Sequence, residues 1–130
     1  MALERISPEE AKEKLDADEG YVYLDVRSSA EFAGGHAPGA VNVPLLEQGP
    51  MGMAPNPDFL ADCEAKFPKD SKLITACLRG GRSMRAASVL IGAGYENVVD
   101  MRGGFDGELG PAGDVVYEGW SRRGLPVTSE

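Results

Sequence analysis

The sequence predicts an α/β domain built on a parallel sheet with helices on both faces, and three observations predict it. Short apolar runs alternate with helical patterns along the chain, the order expected of strand, crossover, strand units. The runs that begin at Tyr21, Leu73 and Asn97 all bring polar or reactive residues to their ends (Asp25 and Arg27, Cys77, Asp100 and Arg102), as strands do when they deliver side chains to the carboxyl edge of an open sheet. Finally, the run of Leu73, Ile74 and Ala76 stops at Cys77, and a glycine-containing loop leads into a helical pattern that begins near Ser83. A thiol therefore stands at a strand-to-helix turn.

With 130 residues the chain is the size of one domain, taken as 1–130, and too short for two. A hydrophobic fraction of 42% with 26% charged residues is that of an ordinary soluble globular protein. No apolar run is long enough for a membrane span, and M-A-L-E-R-I-S-P-E-E lacks the basic start and apolar stretch of a secretory signal. A cytoplasmic protein without a membrane partner is expected. The formal net charge of -8 argues against nucleic acid, which needs a broad basic face.

Ser7-Pro8-Glu9-Glu10 opens the first helix with a capping-box pattern and a proline at the first helical position, and Ala11 and Leu15 give it a buried side. Asp16 to Gly20 ends it. The strand Y-V-Y-L-D-V-R follows and carries Asp25 and Arg27 to its carboxyl end. Two readings of this pair stand side by side: a structural ion pair that holds loop backbones, or an Asp25 that orients Arg82 or another loop arginine while Arg27 adds to an anion field. Ala30 to Gly34 reads as one helical turn, and Val41-Asn42-Val43 as a short strand before Pro44.

From Glu47 to Asp58 the chain is too rich in Gly and Pro for regular structure and reads as a surface loop, with Met51 and Met53 either incidental or an apolar lip over a site mouth. Asn56-Pro57-Asp58 is the turn and cap of a helix running to Phe67, in which Leu60, Cys63 and Phe67 share one face. Cys63 is thus read as a core filler; the alternative is a resolving thiol for Cys77, which would make this a redox protein. After Pro68-Lys69-Asp70 comes the strand that ends at Cys77, then the central helix with Ala86, Ala87, Leu90 and Ala93 turned inward, ending at Gly94. Asn97 to Met101 forms another strand, expected to bring Asp100 and Arg102 near the same edge as Asp25 and Cys77.

The chemistry concentrates on the loop after Cys77. The helix behind it leaves backbone N–H groups unpaired and pointing into the loop, which makes an anion cradle and favours thiolate over thiol. Although the chain is acidic, no Asp or Glu occurs from Ser71 to Tyr95, whereas Lys72, Arg79, Arg82 and Arg85 all do. Arg79 and Arg82 lie in the loop itself, suited to guide a small anion to the thiolate by charge and forked hydrogen bonds. Two cysteines and one histidine make neither a disulfide framework nor a metal site.

C-L-R-G-G-R-S, from Cys77 to Ser83, resembles the Cys-x-x-Gly-x-Arg-Ser active loop of the single-domain rhodaneses, sulfurtransferases that carry sulfur as a cysteine persulfide. Other pieces resemble the same family in order: L-D-V-R at Leu24–Arg27, E-F-x-x-G-H-x-x-G-A-x-N-x-P from Glu31 to Pro44, the Gly103-Gly104 pair, and W-x-x-x-G-L-P-V from Trp120 to Val127. The resemblance implies a rhodanese-like fold, with a central, mostly parallel five-stranded sheet flanked by helices on both faces. It also places His36 in a Gly-His signature of structural character, in keeping with a thiolate reaction that needs no general base. Between Phe105 and Trp120 the chain departs from the family pattern with an insertion of about 106–119, whose Gly-Pro-Ala-Gly-Asp centre suggests a small hairpin.

On this reading Cys77 is the nucleophile, and Leu78, Arg79, Gly80, Gly81, Arg82 and Ser83 form the substrate-binding loop, with Asp25 and Arg27 in support. The sulfur donor is a small anion, with thiosulfate favoured over mercaptopyruvate by the arginine-bearing loop. The acceptor is cyanide or a thiol, including a protein thiol, and no cofactor is needed beyond the Cys77 persulfide. Three other classes compete. Related phosphatases place five residues between cysteine and arginine, but four lie between Cys77 and Arg82. A thiol-disulfide oxidoreductase wants a second cysteine nearby, which Arg79-Gly80 does not supply. A non-catalytic binding or scaffold domain would have no use for a reactive thiol in a cationic cradle; a rhodanese-like binding or sulfur-carrier domain stands as the alternative reading, ahead of a phosphatase of related fold.

Overall fold

Ser7 caps the first helix as its sequence predicts: its hydroxyl accepts the Glu10 N–H, and the Glu10 carboxylate accepts the Ser7 N–H in return. The computed structural model describes residues 3–130. Its elements in chain order are β1 (Arg5–Ile6), α1 (Pro8–Asp16), β2 (Tyr21–Asp25), α2 (Ser29–Ala33), β3 (Val41–Asn42), β4 (Leu46–Gly49), β5 (Gly52–Pro55), α3 (Phe59–Lys66), β6 (Lys72–Ala76), α4 (Gly81–Gly92), β7 (Asn97–Met101), β8 (Gly107–Leu109) and β9 (Val115–Glu118). A 3-10 turn at Trp120–Arg122 follows.

The central sheet has five strands in the order β1-β7-β6-β2-β3. Every pairing in it is parallel. Alternate residues of each strand face opposite sides. Leu24, Leu73 and Val98 pack with Phe59 and Cys63 of α3 and with Ala86, Ala87 and Leu90 of α4. Tyr23, Ile74 and Met101 pack on the other face with Ala11 of α1 and with Trp120. Trp120 meets the Tyr23 ring edge-on, at 5.5 Å between centroids, and donates its indole N–H to the Pro126 carbonyl.

Register decides what reaches the carboxyl edge. Asp25 stands opposite Ala76, Thr75 opposite Asp100, and Asp100 opposite Arg5, so three strand ends and the start of the chain converge. Cys77 is the first residue after β6.

One expectation is corrected. The Glu47–Asp58 stretch is no irregular loop, because most of it lies in the antiparallel β4–β5 hairpin, with Glu47 opposite Ala54 and Gln48 opposite Met53. Backbone pairing suffices for a short hairpin, whatever the Gly and Pro content. Met51 at its tip is 99% exposed and covers nothing. The insertion is a second hairpin, β8–β9, as its sequence suggests. Among the described residues, no helix is long and apolar enough to cross a membrane.

Cys63 is fully buried in the α3–α4 core, and burial pushes its thiol up to about 12. Such a thiol is inert at neutral pH, which suits a filler rather than a resolving partner. His36 is pinned structurally: its ring stacks on Phe32, and its two ring nitrogens lie 2.7 and 3.0 Å from the Phe32 and Glu130 backbone oxygens.

Candidate active site

Cys77 leaves β6 and enters a loop that closes on its own sulfur. The Gly80 N–H donates to Cys77 Sγ at 3.0 Å, and Ser83 Oγ lies 3.4 Å from the same sulfur. Gly80 turns the chain through φ +109°, a left-handed conformation that glycine adopts without steric penalty. The turn aims α4 at the thiol. Among the described residues, the N–H groups of Gly81, Arg82 and Ser83 find no backbone acceptor. They are the free donors of a helix N-terminus, one turn from Cys77, a residue that is only 1% exposed. Such an arrangement can stabilise negative charge at or just beyond Sγ.

Packing holds this loop from behind. The Phe105 N–H donates to the Cys77 carbonyl at 2.7 Å and the Asp106 N–H to the Leu78 carbonyl at 2.9 Å. Gly104, at φ +64°, lies so close that a Cβ there would stand 2.4 Å from the Cys77 carbonyl oxygen. The Gly103-Gly104 pair is thus the surface on which the loop rests.

The loop arginines are each gripped by an acid. Arg82 makes a forked pair with Glu31, at 2.7 and 3.0 Å. Arg79 reaches Asp106 at 3.1 Å and donates to the Gly107 carbonyl at 3.1 Å. Glu31 is also the third residue of the α2 capping box, accepting the Ser28 N–H, so one carboxylate caps a helix and orients a loop arginine. The Arg82 guanidinium, helped by the Ser28 hydrogen bonds, holds the Glu31 carboxyl down at about 2.

Of the two readings of Asp25, the geometry carries the structural ion pair; Arg82 pairs with Glu31, and Asp25 makes no hydrogen bond to it. Its carboxylate takes Arg27 Nε and Nη2 at 2.8 to 3.1 Å together with the Arg27 N–H. Arg27 in turn donates to the Gly35 carbonyl and lies over the Phe105 ring, and both partners are buried. The pair ties the β2 edge to the segments that carry Gly35 and Phe105, a structural task. Lys72, a member of the cationic window, sits over Tyr21 at the opposite end of β6, whereas Arg102 follows β7 at the carboxyl edge, as expected, and pairs there with Glu108 beside Tyr117.

Sequence reasoning missed Glu31 as the Arg82 partner, Asp106 as the Arg79 partner, and a half-buried Asp100–Arg5 pair beside the loop. Arg5 Nε donates to Asp100 Oδ2 at 3.0 Å and Thr75 donates to Oδ1 at 3.0 Å. Burial pushes the Asp100 carboxyl up, against the hydrogen bonds of Ser83, Arg5 and Thr75 that favour its charge. The capping pattern Ser28-x-x-Glu31 was a visible signal for the first of these, although it says nothing of Arg82.

Glu31 carries a pH prediction. A carboxyl lowered on folding contributes stability above its unfolded value, and that contribution is lost as the pH falls towards its folded one. For a partly exposed pair the stabilisation is on the order of 1 kcal/mol after solvent screening. Wild type should therefore melt a few degrees above Glu31→Gln near pH 7, and the gap should close between about pH 4.5 and 2. Thermal melts across that range check it; a gap that persists at the acid end would contradict the pairing.

The family model described as "Rhodanese-like domain" matches residues 7–107. Among curated proteins the chain is similar to thiosulfate sulfurtransferase 16, chloroplastic, of Arabidopsis thaliana, with 41% identity over 108 residues, covering 83% of this chain and 80% of that one. It is also 42% identical over 101 residues to the mitochondrial protein HIGH ARSENIC CONTENT 1 of the same plant, covering 76% of this chain but only 60% of that protein's length. Among solved structures, the crystal structure of Rv0390 from M. tuberculosis superposes with a TM-score of 0.83 at 29% identity, over the whole of both chains.

Proposed function

This chain belongs to the rhodanese-like domain family, and from that premise and the Cys77 loop we propose that it is a sulfurtransferase. It moves sulfane sulfur from a small anionic donor, thiosulfate first, to a thiophilic acceptor through a persulfide on Cys77. The observation that carries this reading is a single sulfur receiving the Gly80 N–H at 3.0 Å beneath three unpaired helix N–H groups.

In the first half-reaction, Cys77 Sγ attacks the outer sulfur of thiosulfate. A new S–S bond forms, the donor's S–S bond breaks, and sulfite leaves with the electron pair. The N–H groups of Gly81, Arg82 and Ser83 face the charge on the transferred sulfur and on the departing anion, as an oxyanion hole does. Asp106 and Glu31 fix Arg79 and Arg82 in place and offset most of their charge, so the two arginines shape the loop mouth while the helix N-terminus supplies most of the field, and Leu78 and Gly80 set the loop's path. In the second half-reaction a cyanide or thiolate attacks the outer sulfur of the persulfide, and the pair of the broken bond returns to Cys77. Each step is a substitution at sulfur. No external oxidant or cofactor enters the balance, and the reduced thiols suit a reducing compartment such as the cytoplasm.

Double displacement predicts ping-pong kinetics. Initial rates at several fixed thiosulfate concentrations should give parallel reciprocal plots against cyanide. Intersecting lines would require donor and acceptor to bind together and would overturn the persulfide route.

A further inference from the structure

Against the outer side of the loop residues Arg79, Gly80 and Gly81 lies a pocket of about 420 Å³ to which the steps above assign no occupant. Its lining combines Gly80 and Gly81 of the loop with two arginines, Arg79 and Arg5, and two apolar side chains, Met84 and Leu109. Resting on the sulfurtransferase reading, we propose that this pocket is an acceptor subsite for a low-molecular-weight thiol bearing a carboxylate, and that Arg5 is the residue that recognises it.

Arg5 is prepared for that role from two directions. Its Nε is committed to the buried Asp100, whose other oxygen is held by Thr75, so the guanidinium is fixed in plane. Among the described residues, neither of its Nη groups has a hydrogen-bond partner. Nη2 lies 3.1 Å from where a Cβ on Gly80 would stand, and it is the Gly80 N–H that reaches the Cys77 sulfur. Two fork donors therefore stand uncommitted in the pocket lining, next to the residue whose N–H reaches the reacting sulfur, and a free fork suits a carboxylate.

The remaining lining fits the rest of such a molecule. Met84 and Leu109, 39% and 44% exposed, offer apolar contact to a short aliphatic chain. Glu108, the acid of the lining, is turned to Arg102 at 3.0 Å, which lowers its opposition to an anion. Cyanide would fill little of this volume; a thiol of up to tripeptide size would occupy it. Leu109 and Glu108 belong to the β8–β9 hairpin, so the insertion builds one wall of the subsite and, through Asp106, also holds Arg79.

The test separates the two half-reactions. Enzyme loaded with sulfur from thiosulfate is freed of donor, and loss of the persulfide is followed by intact mass against mercaptopropionate and against its uncharged amide, thiols of nearly equal size. Wild type should discharge to the carboxylate with a kcat/KM about tenfold above that for the amide, as expected when a forked guanidinium pair is added. Arg5→Gln, which keeps an amide donor for Asp100, should bring the ratio towards one. Met84→Glu sets a like charge across the pocket on an exposed helical face, where folding is not at risk, and should lower the ratio independently. A ratio near one in wild type, or one unmoved in both variants, overturns the subsite while leaving sulfur transfer standing. Failure of the wild type to take up sulfur at all overturns the sulfurtransferase reading and the subsite with it.

Discussion

Cys77→Ser is expected to abolish sulfur transfer and leave the fold in place. A serine hydroxyl neither ionises near neutral pH nor carries a transferable outer sulfur, so the loss should be on the order of 10⁴-fold or more, down to the uncatalysed rate. The exchange is small in volume, and a hydroxyl still accepts the Gly80 N–H, so the stability change should stay within about 1 kcal/mol. Turnover with thiosulfate and cyanide, measured beside a thermal melt, tests both halves. Substantial remaining activity with a normal melt would move the chemistry away from this loop.

The second large effect is expected at a residue with no reactive group. Gly104→Ala puts a Cβ 2.4 Å from the Cys77 carbonyl oxygen and 2.8 Å from Leu78 backbone atoms, at a positive φ besides. Backbone cannot step aside as the end of a side chain can, so either the loop shifts or the Gly104 turn opens. A loss on the order of 3 kcal/mol, roughly 10 °C in Tm, is expected, together with most of the activity at temperatures where the variant is folded. Gly20→Ala is the control, since Gly20 also has a positive φ, +87°, but nothing within 4 Å of an added Cβ. It should lose only about 1 kcal/mol from backbone strain. Equal losses at the two positions would mean that Gly104 does not support the loop by close packing.

The features readable in the sequence were those encoded locally. A capping box spans four residues, and both Ser7–Glu10 and Ser28–Glu31 form as written. The strand ending at Cys77 followed by glycines announces the loop, although α4 begins at Gly81, two residues before the periodicity shows, because Gly80 is the turn itself. Asp25 and Arg27, two apart at a strand end, lie on one side and meet, which makes the structural reading of that pair the one the geometry carries.

What was not readable is non-local. Arg82 and Glu31 are 51 residues apart, and Arg5 and Asp100 are 95 apart. Nothing in the local pattern of either partner encodes the other; the register of parallel strands and the docking of α2 bring them together. β1 is two residues long, below any detectable periodicity, and exists because β7 offers it an edge. The β4–β5 hairpin hides behind glycine and proline that usually mark loops. The cationic window of the sequence also overstated the field at the sulfur, since two of its four members lie away from the loop or on an exposed face and the other two are neutralised by Glu31 and Asp106. What remains positive at Cys77 is chiefly the helix N-terminus.

The central claim is a persulfide on Cys77, and the mass of the intact chain tests it most directly. Reduced protein incubated with thiosulfate and freed of small molecules should gain the mass of one sulfur atom. Cyanide should remove it, and Cys77→Ser should never acquire it. A wild-type mass unchanged by thiosulfate, or a sulfur that the Cys77→Ser chain takes up equally well, would contradict the account at its foundation.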